Sequence, residues 1–165
     1  MIEFEYKISE VITNIEILSQ YRSNSMVQKG NDVDLDDSSS TFEDEKILTK
    51  YLKQGVSIVG GVLSGYSSGL LDTDNVTELK PFEFNTEDDQ IIFRMNVPDT
   101  FQENVIDSID EEIKDFLENY VLSRINIHRG NEFESYLSAL DESKSKIRGY
   151  ISRRTETVKR NYNLI

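Results

Sequence analysis

The sequence predicts a mainly α fold, a four-helix core with a β-hairpin inserted between helices two and three. Three observations carry that prediction. Four long stretches repeat apolar residues at three- and four-residue steps, as helices with one buried face do. One short stretch, Ile91 to Val97, alternates at the period of a strand. The joints between stretches fall at clusters of Gly, Asn, Asp and Pro. A length of 165 residues suits a single domain over 1–165.

The first helix is expected from about Tyr6 to Met26. Ile8, Val11, Ile12, Ile15, Leu18 and Tyr21 share one face, and Gly30 ends it by taking a left-handed conformation. The second is expected from about Thr41 to Tyr66, with Ile47, Leu48, Tyr51, Leu52, Ile58, Val59, Val62, Leu63 and Tyr66 facing inward. Gly55, Gly60, Gly61 and Gly65 interrupt it, each costing up to about 1 kcal/mol relative to Ala. Such a concentration points to close approach of a neighbour, a bend, or both, and the Gly61-x-x-x-Gly65 spacing fits close approach.

Ser67 to Asn75 reads as loop. The hairpin, about 76–97, has a first strand from Val76 to Phe84, broken by Pro81, and a turn at Asn85 to Asp89. Its second strand puts Ile91, Phe93, Met95 and Val97 on one face and Ile92, Arg94 and Asn96 on the other. An isolated hairpin is marginal in water, so this one needs support from the helices or from another subunit. Pro98-Asp99-Thr100 opens the third helix, which runs to about Ile125 on a stripe that includes Ile109, Ile113, Phe116 and Leu117. His128 to Asn131 breaks the pattern. A fourth helix follows from about Glu132 to Lys159, with Phe133, Tyr136, Leu137, Leu140, Ile147, Tyr150 and Ile151 inward.

Composition narrows the function. The net charge of −13 argues against binding a nucleic-acid backbone as the main task, since that needs clustered Lys and Arg. Without cysteine there are no disulfides, thiolate zinc sites or cysteine nucleophiles, and a single histidine, His128, forbids an imidazole metal cluster. The N-terminus lacks the basic and apolar regions of a signal peptide. The longest uncharged run, Gln54 to Leu71, is Gly- and Ser-rich and barely of membrane-spanning length. A soluble cytosolic product with no membrane partner is expected.

Charge is unevenly placed. Residues 143–165 carry seven Lys and Arg against Glu156, a net of +6, which leaves −19 on the remainder. A basic terminal helix and tail, about 132–165, can lie as a solvated face. It can also dock on an acidic surface, and the body of the same chain is such a surface.

Several motifs bear on chemistry. Asp32, Asp34, Asp36 and Glu43 fall at positions 1, 3, 5 and 12 of an EF-hand calcium loop. Position 6 is Asp37 where the loop needs Gly, position 8 is Ser39, and no second loop pairs with it. These four carboxylates are therefore a weak metal candidate. The competing reading is an acidic loop ended by a Ser40-x-x-Glu43 capping box. Gly65-Tyr66-Ser67-Ser68-Gly69 spells a nucleophile elbow, but a helix precedes it where a strand is required. Paired carboxylates such as Asp110-Glu111-Glu112 read as solvated helix faces. His128 reads as a cap or interface residue. No nucleotide-binding fingerprint is present, so neither a catalytic residue nor a cofactor is expected.

The order of "YKISEVITNIEILSQYRS", "EDEKILTKYLKQGVSIVGGVLSGYS", "FEFNTEDDQIIFRMNVP" and "DSIDEEIKDFLENYVLSRI", closed by a basic helix, resembles the small neck or head–tail connector proteins of tailed bacteriophages, in particular the crAss-like kind. The resemblance lies in order, length and texture over most of the chain. It implies a homo-oligomeric ring in the virion neck, commonly of twelve copies and assembled in the host cytoplasm. Such a ring sits below the portal, contacts portal and other neck or tail proteins, and continues a channel through which DNA passes without specific binding. Arg148, Arg153, Arg154, Lys159 and Arg160 are the candidates for electrostatic contacts between subunits, and Phe82, Phe84, Phe93 and Met95 for apolar contacts through the hairpin. A small acidic adaptor that binds a basic partner is the alternative, as is a weak cation-binding helix-loop-helix module.

Overall fold

The first six residues after Met1 already alternate apolar and charged side chains, and they form a strand. In the computed structural model, which describes residues 1–28, 45–66, 71–72, 77–97, 103–127 and 131–152, the elements run as follows. Strand β1 (Ile2–Lys7) leads directly into α1 (Ile8–Gln28). Helix α2 (Glu45–Leu63) ends in a 3₁₀ turn, Ser64–Tyr66. Short strands β2 (Leu71–Asp72) and β3 (Thr77–Glu78) precede the hairpin of β4 (Phe82–Asn85) and β5 (Gln90–Met95). Helices α3 (Glu103–Ile125) and α4 (Asn131–Ser152) complete the described residues.

The fold is mainly α, with four helices and the hairpin between the second and third, as the sequence predicts. Three details differ. The first helix starts at Ile8 rather than Tyr6, because Ile2 to Lys7 pair with β5 over their whole length, from Ile2 opposite Met95 to Lys7 opposite Gln90. The hairpin thus belongs to a three-stranded antiparallel sheet, β1-β5-β4, and gains its support from the chain's own N-terminal strand. The segment read as loop contains β2, which pairs with β3, and Pro81 separates β3 from β4.

Central strand β5 has an antiparallel partner on either side and is buried on both faces from Ile91 to Met95. Ile91, Phe93 and Met95 point into the core with at most 1% exposure. On the opposite face Arg94 is also buried. Its guanidinium donates to Glu3 on β1 at 2.7 Å, to Glu83 on β4, and to the Lys80 carbonyl at 3.2 Å. One cation thereby ties all three strands together, and it is covered only because two carboxylates and a carbonyl satisfy it.

One hydrophobic cluster joins the sheet to all four helices. Helix α2 contributes Leu48, Leu52, Val56, Val59 and Leu63, and α3 contributes Ile109, Ile113, Phe116, Leu117 and Val121. Each fully buried Leu or Ile contributes about 1.5–3 kcal/mol by leaving water. Two glycines of α2 admit neighbours. A Cβ at Gly55 would meet the Tyr120 ring at 3.2 Å, and one at Gly60 would overlap the ring of Phe82. Gly61 and Gly65, whose spacing suggested close helix approach, face open space. Tyr21, Ile47, Tyr66 and Leu137, expected inward, are exposed.

Candidate functional site

The strand-to-helix junction at Lys7 and Ile8 sits against the hairpin turn. Asp89, in the left-handed region at φ 55°, offers its carbonyl to the Ile8 N–H at 3.2 Å and its carboxylate to the Ser9 N–H at 2.9 Å. The Ser9 hydroxyl donates to the other carboxylate oxygen. These bonds hold the Asp89 carboxyl below its usual range, the hydroxyl bond first and the backbone bond second. They also fix the turn against α1 and open a groove between β1, α1, the turn and α3.

The groove encloses about 610 Å³. Glu5, Glu10, Asp88, Asp89 and Glu118 line it, with Lys7 and Lys114 as its cations, a net of −3. Neutral donors hold three of these carboxylates in place without cancelling their charge. Ser9 holds Asp89, the Asn85 amide holds Asp88, and the Asn14 amide donates to Glu118 at 3.4 Å. Burial raises the Glu118 carboxyl above its ordinary value. The two lysines are spent locally. Lys7 pairs with Glu10 at 2.8 Å, and Lys114 pairs with Asp110 at 2.6 Å while lying 5.6 Å from the centre of the Tyr6 ring. Tyr6 itself donates to Asp110 at 2.7 Å, and burial, followed by that bond, raises its phenol far above the usual range.

At the far edge of the sheet lies a second groove of about 490 Å³, between α2 and β4. Lys46, Lys50 and Lys53 line it with Glu45, Phe84 and Thr86. The lysines recur at four- and three-residue steps, which stacks them on one helix face. All three are exposed, and none enters an ion pair among the described residues.

The residues singled out from sequence scatter. Phe93 is fully buried and Met95 is 1% exposed, so both serve the chain's own core and not a neighbour, which corrects the expectation for them. Strand β5 is central, and its apolar face has no outside. Phe82 is half-buried on Gly60, and half-buried Phe84 borders the lysine groove. Arg148 is exposed on α4 and makes no ion pair among the described residues, whereas Lys144 pairs with Asp141 and Lys146 bridges Glu112 and Glu142. Arg153, Arg154, Lys159 and Arg160 lie outside the described residues, as do Asp32, Asp34, Asp36, Glu43, Ser67 and His128. Among the described residues no group of three or more His, Asp or Glu could hold a metal ion, and no helix is long and apolar enough to cross a membrane.

Sequence reasoning missed both grooves. The lysine stripe was visible as Lys46, Lys50 and Lys53, but its neighbour Phe84 lies 31 residues beyond Lys53. The acidic groove assembles residues from four separate elements. The chain matches no protein-family model, no curated protein and no solved structure.

Proposed function

We propose that this chain is a structural subunit that associates with copies of itself into a ring, in the neck of a tailed phage between the portal and the tail. The observation that carries the reading is the separation of charge within one chain. Residues 143–165 hold +6 against −19 elsewhere. Within this basic end Lys144 and Lys146 are neutralised by their own chain, while Arg148 stands exposed and four more cations follow. Uncompensated charges of both signs favour association between unlike patches, and such head-to-tail contacts close into rings when the rotation permits. An acidic body also suits the wall of a channel through which DNA slides, because it repels phosphate.

Electron microscopy of virions that carry a tagged copy of this chain tests the reading. A tagged ring between portal and tail is expected. Virions without the chain, together with a purified protein that stays monomeric at every salt concentration, would favour the small acidic adaptor instead.

A further inference from the structure

We propose that the acidic groove of one copy receives the lysine face of α2 from a second copy. This rests on the ring reading and names its contact surfaces. Three features of the structure point to it. The two grooves have opposite sign, −3 for the acidic one and +2 for the one lined by three lysines and Glu45. Neither is fully neutralised from within: Lys7 pairs with Glu10, but Asp88, Asp89 and Glu118 are held by neutral amides and a hydroxyl, and Lys46, Lys50 and Lys53 enter no ion pair among the described residues. The strand order β1-β5-β4 puts the acidic groove at the β1 edge and the lysine groove at the β4 edge of the same sheet.

Opposite edges matter for geometry. A contact between unlike patches that do not overlap leaves one free patch of each kind, so it propagates from copy to copy. The lysines are also pre-arranged. Lys46 and Lys53 lie seven residues apart, about 10 Å along a helix axis, so their ammonium groups enter a facing groove as a row. Apolar surface accompanies the charge on both sides, with Phe84 beside the lysines and Tyr6 and Val11 in the acidic groove.

The chain lacks cysteine, which makes disulfide trapping clean. Full-length Glu10→Cys protein is mixed with full-length Lys50→Cys protein and oxidised. The control replaces Glu10→Cys with Leu137→Cys, an exposed position on α4. The mixed disulfide between Glu10→Cys and Lys50→Cys is expected to form at least tenfold faster than the control, and more slowly as salt rises. Equal rates would overturn the proposal. So would faster trapping of Glu10→Cys by Arg154→Cys, which would assign the groove to the basic segment 153–165. Preferential trapping without a ring in virions would leave the contact standing and remove the neck reading. A ring without preferential trapping would do the reverse.

A second experiment uses charge reversal at exposed positions. Glu5→Lys/Glu10→Lys protein and Lys50→Glu/Lys53→Glu protein each lose one half of the contact. Each is expected to remain monomeric by sedimentation at low salt, and the mixture to associate, through the intact pair of patches and through the charge-swapped pair. A mixture that stays monomeric where the parent assembles would overturn the proposal. Circular dichroism identical to the parent confirms that both variants fold.

Discussion

Asp89, at the tip of the hairpin, caps helix α1 through Ser9, a residue 80 positions earlier in the chain. The cap is not local, since no residue of the β1–α1 junction supplies it. The hairpin turn and the helix start are therefore one unit. Asp89→Ala is expected to lower the denaturant midpoint, whereas Asp89→Asn keeps an acceptor and tolerates the left-handed backbone, and loses less. Because the Asp89 carboxyl is held below its ordinary value of 3.8, its contribution is present above that pH and is lost as the pH falls through the lower folded value. Urea titrations of the parent and Asp89→Asn at neutral and acid pH check this. The difference between them is expected to shrink on acidification.

Adjacent glycines of α2 make opposite predictions. Gly60 carries the ring of Phe82, so Gly60→Ala forces the ring or the strand to move and is expected to cost about 1–3 kcal/mol. Gly61 faces open space, and Gly61→Ala is expected to stabilise by up to about 1 kcal/mol through helix propensity. Phe82→Leu should relieve part of the Gly60→Ala cost, which a double-mutant cycle reads as coupling. Equal effects of the two alanines would place Phe82 elsewhere.

The same pair shows what was legible in the sequence. The helix faces could be read because period 3.6 decides which residues share a side, and Ile15, Leu52, Ile113 and Ile147 all lie in the core as read. Periodicity does not say which glycine admits a neighbour: the cluster of four points to close approach, which Gly55 and Gly60 make and Gly61 and Gly65 do not. Strand β1 was missed although Ile2, Phe4 and Tyr6 alternate with Glu3, Glu5 and Lys7, because it runs into α1 with no turn residue between them. The acidic groove was out of reach for a different reason. Its defining bonds, Ser9 to Asp89 and Asn14 to Glu118, join residues 80 and 104 positions apart.

Glu118 supplies a prediction with the opposite pH sign from Asp89. Burial raises its folded pKa above the ordinary value of 4.5, with Asp115 adding like-charge repulsion and the Asn14 bond opposing both. A carboxyl with a raised folded pKa binds its proton more readily in the native state, so stability falls as pH rises from the unfolded to the folded value. At neutral pH the charge is a net cost. Glu118→Gln keeps an acceptor for Asn14 and removes that cost, so it is expected to stabilise the protein at pH 7. The gain should vanish on acidification to just below the ordinary glutamate value. Thermal midpoints of the parent and Glu118→Gln across this range check it, and a gain independent of pH would mean that burial is not the cause.

Charge reversal at Arg153 and Arg154 tests the basic end separately from the lysine groove. If these arginines face carboxylates of another copy, Arg153→Glu/Arg154→Glu replaces attraction by repulsion, and assembly is expected to weaken. The salt dependence gives the more specific readout. Attraction between exposed charges is screened within a Debye length of about 10 Å at 0.1 M salt, so the parent should dissociate as salt rises. The variant has lost the attractive term and should respond less, or tighten slightly as its repulsion is screened. Sedimentation velocity at a series of salt concentrations separates these curves. Superimposable curves for parent and variant would remove Arg153 and Arg154 from the contact and leave the acidic groove and Lys46, Lys50 and Lys53 to carry it.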